Sequence, residues 1–410
     1  MEGKVKLALR ITKAVLLIVL LVLFYFYFFL DVFTKFKSRR TNMATREELF
    51  RKNGINGIQS PAITVCLSPN LKPSVLKKYN MTFLSSFHSR EVLQKHNVTF
   101  SRLVQEASYR LNEDFEIKMG DRYLVTQYSL KLGQNKIKYD TDTEIEVMVQ
   151  EIPSPMFGFC LLIIPDTLLS VDKYYPVSIT LNNSEMLKNS HNPMANLYLT
   201  SKYDYLGVVS GIWKNLNPCR VDINFAQGTT IIDVKQTRQT LVECDELSPY
   251  HSFHDCFAKL IQPLIINNNC SNRCSGIHFQ AYEVYLDVKL FEDECTLKEE
   301  ECLLGPNGIT KEMLNLVDQC PLQCNLTQFT ATLTHSGNIN MDGHGTNSAD
   351  FILLSGSNAI TINEEYWVYD NAGLIGAIGG SLGLFAGFSF YDCICMILDW
   401  IYSKTFENRI

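Results

Sequence analysis

The sequence predicts an α+β membrane protein in which two transmembrane helices flank a large, disulfide-rich extracellular domain. Three observations support this fold class: an apolar run near each end of the chain, a concentration of cysteines between the runs, and alternating apolar patterns in the same middle region. The chain has 410 residues and a net charge of −6. Because it lacks a basic excess, nucleic acid is not an expected partner.

The first apolar run extends from Ala14 to Leu30 and contains 17 residues without a charge. At about 1.5 Å per residue, such a helix nearly spans a hydrocarbon layer of about 30 Å. A cleaved signal peptide is the alternative, but its apolar part is usually about 7–15 residues long, and no small-residue cleavage site follows Leu30. We therefore predict a retained transmembrane helix over residues 11–30, after a cytoplasmic N-terminus of residues 1–10.

The second apolar run extends from Ala372 to Tyr391 without a charge and continues past Asp392 to Leu398. A buried core helix is the alternative here, but a glycine at every third or fourth residue fits an ordinary core helix badly. The run predicts a second transmembrane helix over residues 371–398, followed by a cytoplasmic C-terminus of residues 399–410.

The region between the runs, residues 31–370, contains 11 of the 13 cysteines, which is typical of an oxidising compartment. Basic residues flank the first run on both sides, so charge does not decide its orientation. The cysteines favour an extracellular domain and two cytoplasmic termini. The same region contains five candidate glycosylation sequons, which begin at Asn80, Asn97, Asn182, Asn269 and Asn325.

Alternating or short apolar runs predict β-strands in this region, at residues 62–67, 144–149, 160–164, 229–234, 282–288 and 329–334. Apolar residues at helical spacing predict a helix, with one face formed by Phe253, Phe257, Leu260, Ile261 and Leu264. A second helix is expected at 311–319, with Thr310 as its N-cap. Residues 70–142 have weak patterns and are expected to form peripheral loops and short helices.

Both predicted helices lie in the cysteine-rich segment 244–324, which we interpret as a disulfide-rich helical subdomain on a β scaffold. An alternative for Cys270 and Cys274, with His251 and His254 nearby, is a zinc site. An extracellular segment with sequons favours disulfides, so no metal and no cofactor are expected. No Ser-His-Asp arrangement or phosphate-binding loop points to an enzyme.

Residues 60–66 read Ser-Pro-Ala-Ile-Thr-Val-Cys, and the second apolar run contains Gly379, Gly380, Gly383, Leu384, Phe385, Gly387 and Ser389. These two segments resemble the degenerin/epithelial sodium channel/acid-sensing ion channel family. The first is similar to the family's Phe-Pro-Ala-Val-Thr-hydrophobic-Cys, and the second to its Gly-Gly-x-x-Gly-Leu-Phe-x-Gly-x-Ser pore segment. In layout the resemblance covers the chain from Ala14 to Leu398.

The resemblance implies a subunit of a trimeric, sodium-selective or sodium-preferring cation channel that is amiloride-sensitive and gated by an extracellular ligand, protons or force. Its implied partners are family subunits in a homo- or heterotrimer, sodium ions and the lipid bilayer. It also implies five disulfides: Cys66–Cys160, Cys244–Cys324, Cys256–Cys320, Cys270–Cys302 and Cys274–Cys295. Cys219 remains without an implied partner.

Within the pore, the resemblance assigns Gly387, Phe388 and Ser389 to the selectivity filter and Gly376 to a gating position. The glycines also form GxxxG spacings that allow close packing of membrane helices; tight packing without a pore is the alternative. Asp392 would form a cation-attracting ring in a trimer, or would lie solvated at the cytoplasmic interface.

The chain departs from the family at Ala377 and Cys395, where many members carry an acid, and it lacks the His-Gly motif before the first span. Two other functions therefore stay open. One is a poorly conducting subunit that needs family partners, and the other is a two-span receptor or adhesion protein without a pore.

Overall fold

The computed structural model describes a β-rich protein with short helices. The residues described are 19, 22, 25–38, 41–49, 57–68, 71–81, 90–120, 126–138, 144–154, 158–169, 174–182, 194–210, 219–222, 229–242, 249–266, 274–275, 277–287, 293–296, 298–299, 316, 319–320, 324–336, 348–357, 359–368 and 370–386. The chain divides into two compact units. One comprises Met1–Ala44 and Glu364–Ile410, and the other, the β-rich unit, is Thr45–Asn363.

The strands are β1 Thr41–Leu49, β2 Ile58–Gln59, β3 Ala62–Ser68, β4 Phe115–Gly120, β5 Gln127–Ser129, β6 Gly133–Lys138, β7 Glu144–Ser154, β8 Gly158–Pro165, β9 Leu168–Leu169, β10 Tyr175–Leu181, β11 Met194–Thr200, β12 Cys219–Asp222, β13 Thr229–Thr240, β14 Cys274–Ser275, β15 Asp293–Glu294, β16 Asn325–Ser336, β17 Ser348–Leu354 and β18 Ala359–Trp367. The helices are a π-helical turn at Tyr25–Phe29, α1 Leu30–Lys37, α2 Pro73–Lys78, α3 Arg90–His96, α4 Phe100–Ala107, α5 Tyr205–Ser210, α6 Phe253–Ile266, α7 Ile277–Leu286 and α8 Asn371–Ala386.

The core of the β-rich unit lies between two sheets. An eight-stranded sheet has the order β1-β18-β13-β17-β10-β4-β5, with β16 also paired to β13, and a six-stranded sheet has the order β12-β11-β3-β8-β7-β6. Pairing is mostly antiparallel, whereas β13 and β17 run parallel. In β7, Ile145, Val147 and Val149 are buried, whereas the alternating residues Glu144, Glu146 and Met148 are exposed, which confirms the predicted alternation.

The six-stranded sheet is covered on both faces at its centre. One face contributes to the core between the sheets, and the other packs against α5, α6 and α7 in a second apolar cluster. This explains why every residue of β3 from Ala62 to Leu67 is buried, as is typical of a strand with no solvent face. The strands predicted at 62–67, 160–164, 229–234 and 329–334 are confirmed as β3, β8, β13 and β16.

A third apolar cluster, formed by residues of 71–81 and 93–107, packs α2, α3 and α4 together around Leu103 and Ala107. Short helices were predicted here. The expectation that residues up to 142 are peripheral is wrong, because β4, β5 and β6 belong to the two sheets and Ile117 of β4 is fully buried. These strands are short, and their alternation is too brief to stand out in the sequence.

The strand predicted at 282–288 is also wrong, because residues 277–286 form helix α7. Burial follows helical rather than alternating spacing: the adjacent residues Ala281 and Tyr282 are both buried. Tyr282 packs 6.1 Å from the Phe257 ring of α6, and Tyr285 packs 5.4 Å from the Tyr205 ring of α5. The sequence allows both periods, and these tertiary contacts favour the helix.

The other helix predictions have different outcomes. The helix with Phe253 and Phe257 on its apolar face is confirmed as α6, in which Phe257 and Ile261 are buried. The helix predicted at 311–319 falls outside the described residues apart from Leu316, which is helical, and Gln319.

Candidate functional site

Helix α8 carries the first part of the predicted pore segment, and Asp370 caps its N-terminus. The Asp370 Oδ1 atom accepts a hydrogen bond from the Gly373 backbone N–H at 2.5 Å, and the Asp370 carbonyl accepts one from Leu374 at 2.8 Å. A carboxylate at this end also complements the helix dipole. Sequence reasoning missed this residue, although an Asp just before an apolar run is a helix-start signal.

The predicted glycines Gly376, Gly379, Gly380 and Gly383 all lie in α8. Their spacing of three and four residues places them on one side of the helix. A Cβ atom added at Gly376, Gly379 or Gly380 would meet no atom within 4 Å in the part of the chain that the structure describes. Among the described residues, the face at Gly376, Gly379 and Gly380 is therefore open.

Apolar side chains in the same unit point outward. Ile375 of α8 is 71% exposed, and Phe26 of the π-helical turn is 62% exposed. The rings of Tyr25, Phe29 and Phe33 stack in a row, with centroids 5.7 and 5.6 Å apart. Helix α8 contacts both the π-helical turn and α1, so segments of the two predicted spans meet.

Among the described residues, no helix is both long enough and apolar enough to cross a membrane. The predicted filter residues Gly387, Phe388 and Ser389, together with Asp392, lie outside the described residues.

Two of the five implied disulfides are present: Cys66–Cys160, which joins β3 to β8, and Cys256–Cys320, which anchors α6. Cys295 and Cys324 are also disulfide-bonded. Of the other implied cysteines, Cys244, Cys270 and Cys302 lie outside the described residues, whereas Cys274 and the unassigned Cys219 lie in β14 and β12.

The sequon asparagines that the structure describes all have exposed side chains. Asn80 and Asn97 occupy turns with φ angles of 55° and 53°, Asn182 directly follows β10, and Asn325 begins β16. Asn269 lies outside the described residues. No group of three or more His, Cys, Asp or Glu side chains could hold a metal ion within the described ranges.

The start of α6 is tied to the loop before α5 by several contacts. Ser252 caps α6 by accepting a hydrogen bond from the Asp255 N–H at 3.1 Å, and the Asp255 Oδ2 atom accepts one from the His251 N–H at 2.8 Å. The Ser252 hydroxyl also donates to the Tyr203 carbonyl at 3.2 Å, and the Tyr203 and His251 rings stack with centroids 4.5 Å apart. This junction joins the disulfide-rich segment to the β scaffold.

Two titratable groups at this junction are buried. Burial lowers the pKa of His254 to about 4, because the charged imidazolium loses its hydration. Burial also raises the pKa of Asp204, although hydrogen bonds from the Ser201 and Ser252 hydroxyls act in the opposite direction. His254 is therefore neutral near pH 7 in the folded protein.

The sequence matches the model of a known protein family. The model of the family described as "amiloride-sensitive sodium channel" matches residues 10–395. No curated protein gives a significant match to the chain. Among solved structures, a cryo-EM structure of a proton-activated chloride channel is similar, with 7% sequence identity over 97% of this chain and 98% of that chain, at a TM-score of 0.37.

Proposed function

The chain belongs to the amiloride-sensitive sodium channel family, and on that premise we propose that it is one subunit of a trimeric, sodium-preferring cation channel. Members of this family are ion channels of the plasma membrane rather than enzymes. We place residues 11–30 and 371–398 in the bilayer, residues 31–370 outside the cell and both termini in the cytoplasm. An extracellular ligand, protons or force would open the pore.

The open glycine face of α8 is the observation that best supports this proposal. Each glycine costs about 1 kcal/mol in a helix relative to alanine, so a row of them needs a compensating contact. Nothing in the described part of the subunit fills the space beside Gly376, Gly379 and Gly380. Three copies of α8 around an axis would supply that contact, because glycines allow helix backbones to approach closely in a bilayer.

The ion path would continue beyond α8. Backbone carbonyls at Gly387, Phe388 and Ser389 would replace part of the hydration shell of a sodium ion. Three copies of Asp392 would attract cations toward the cytoplasmic end. The extracellular stimulus would act through the segment 244–324, whose helix α6 joins the β scaffold at the Ser252–Tyr203 contact.

The test replaces Gly376 by Trp in the full-length chain and records whole-cell current in sodium. Since a Cβ atom at Gly376 would meet no described atom within 4 Å, we expect the indole to act between subunits and hold the pore open. We expect a constitutive, amiloride-blocked inward current at least about fivefold above that of the unmodified chain, in the range of typical coupling energies. Replacement of sodium by a large organic cation should abolish it.

Ile375→Trp is the matched control, because Ile375 is the neighbouring residue and its side chain already projects outward. It should leave the current at the unmodified level. If surface-labelled Gly376→Trp protein gave no current alone but conducted with family subunits, the chain would be an obligate partner. Ala377, which replaces an acid found in many family members, favours that second candidate. If neither experiment gave a current, the remaining function would be a two-span receptor or adhesion protein without a pore.

A further inference from the structure

A polar cavity of about 170 Å³ lies in the β-rich unit, where strand β16 begins beside the junction of α6 with the loop before α5. Gln59 and Ser60 line it ahead of β3, and Ser201 lines it after β11. Its volume corresponds to about five or six water molecules at liquid density. The cavity is partly open, so a group inside it would remain connected to the surface.

The beginning of β16, including Leu326, forms a wall of this cavity. Asn325, Thr327 and Phe329 occupy alternate positions of the strand, so their side chains share a face, and all three line the cavity. Asn325-Leu326-Thr327 is a glycosylation sequon. The Asn325 side chain is exposed, and its Oδ1 atom accepts a weak hydrogen bond from the Thr240 hydroxyl at 3.4 Å.

The other side of the cavity holds an aromatic platform made of Tyr203 and His251. Their rings are nearly parallel, with an interplanar angle of 17°. The platform is fixed at both ends, since the His251 N–H donates to the Asp255 Oδ2 atom and the Ser252 hydroxyl donates to the Tyr203 carbonyl. The cavity therefore has an ordered aromatic edge as well as polar walls.

This combination suits a sugar ring. The C–H face of a pyranose is apolar and packs on an aromatic ring, whereas its hydroxyl and acetamido groups need hydrogen-bonding partners. Phe329 and Tyr203 supply the aromatic surface. Gln59, Ser60 and Ser201 supply polar groups in the lining of the same cavity.

We propose that Asn325 carries an N-linked glycan whose first sugar is seated in this cavity. The seated sugar would connect β16 to the start of α6 and hold the disulfide-rich segment against the β scaffold. The inference rests on the proposed extracellular location of residues 31–370, because glycans are added only on that side of the membrane. Asn97 is the reference site, since it lies exposed in the turn after α3.

The test measures glycan release from the native, full-length protein. The chain is produced in cells that make only high-mannose glycans, treated with peptide-N-glycosidase F under native conditions, and the occupancy of Asn325 and Asn97 is followed by peptide mass spectrometry. We expect release from Asn325 to be about tenfold slower than from Asn97, equivalent to about 1.4 kcal/mol of protection. In denatured protein the two rates should be equal.

Phe329→Leu keeps the sequon and removes the aromatic surface, so it should bring the Asn325 rate close to that of Asn97. A second measurement compares the Tm after endoglycosidase H, which leaves the first sugar, with the Tm after complete removal. Trimming should leave the Tm unchanged and complete removal should lower it by several degrees.

Equal native release rates at the two sites, or a glycan at Asn97 with none at Asn325, would overturn the seated sugar and leave the extracellular topology intact. Absence of glycan at every sequon would overturn both the topology and the seated sugar. If glycan release from Asn325 stayed slow in the Phe329→Leu variant, the proposed seating of the sugar would also be contradicted, because the protection would then not depend on the aromatic surface.

Discussion

The β-rich unit and the unit that contains α8 bury their apolar side chains to very different extents. Ile117 of β4 is fully buried within the chain, whereas Ile375 of α8 is 71% exposed. Backbone hydrogen bonding is satisfied in both places, by the sheet and by the capped helix. The difference teaches that the β-rich unit completes its core with its own described residues, whereas α8 leaves apolar surface exposed among them.

The strongest test of this comparison truncates one isoleucine in each unit. Ile117→Ala should lower the free energy of unfolding by about 3 kcal/mol, because it leaves a cavity in a closed core. Ile375→Ala, the matched substitution, should change it by less than about 0.5 kcal/mol, because its side chain contacts little within the chain. Denaturant unfolding of the detergent-solubilised protein measures both. Similar losses for the two variants would break the comparison.

A second test asks whether the second apolar cluster, which contains the Cys256–Cys320 disulfide, excludes water as well as the core between the sheets does. Burial holds the pKa of His254 at about 4 in the folded state, whereas it returns to about 6.5 in the unfolded chain. The unfolded state therefore binds more protons between these values. Stability should be full above about pH 6.5 and fall by up to about 3 kcal/mol as the pH drops toward 4.

His254→Phe should flatten this part of the stability–pH curve, measured as Tm between pH 7 and pH 4. The control is Tyr282→Phe, which alters a buried residue of the apolar cluster that α6 joins and leaves the histidine in place. It should retain the slope. A curve that stays steep in His254→Phe would assign the pH dependence to other groups and show that the cluster admits water.

The smallest expected effect concerns the polar end of α8. Asp370→Ala removes the acceptor for the Gly373 N–H and should cost about 1 kcal/mol of local helix stability. Hydrogen exchange at Gly373 should then accelerate about fivefold. Asp370→Asn keeps an acceptor oxygen and should change exchange much less. Equal exchange in the two variants would show that α8 does not depend on its own cap.

Much of the fold could be predicted from the sequence because its strands alternate between a core face and an outer face. This holds for β7, where Ile145, Val147 and Val149 point inward. The prediction failed for 282–288, where the apolar residues fit a strand and a helix equally well in isolation. Only packing on Phe257 and Tyr205 decides between them, and such tertiary contacts leave no local pattern.

Part of the candidate site, like part of the fold, could be predicted from the sequence. The glycines of α8 follow from their spacing, and Cys66–Cys160 and Cys256–Cys320 follow from the family resemblance. That the glycine face has no neighbour within the described chain is a three-dimensional fact that spacing cannot reveal. The Tyr203–His251 platform was also missed, because its two rings come from segments far apart in the sequence.

The pairing of β13 with β16 determines how the cysteine-rich segment is joined to the sheet. The last pair of the ladder is Thr240 with Asn325. Directly beyond it, the Leu241 N–H donates to the Cys324 carbonyl at 2.8 Å. The segment between them thus leaves and rejoins the scaffold at neighbouring positions. Each doubling of its length would add only about 0.6 kcal/mol of closure entropy. Provided that α6 and α7 keep their contacts, evolution can lengthen, shorten or exchange this segment without shifting the register of the sheet.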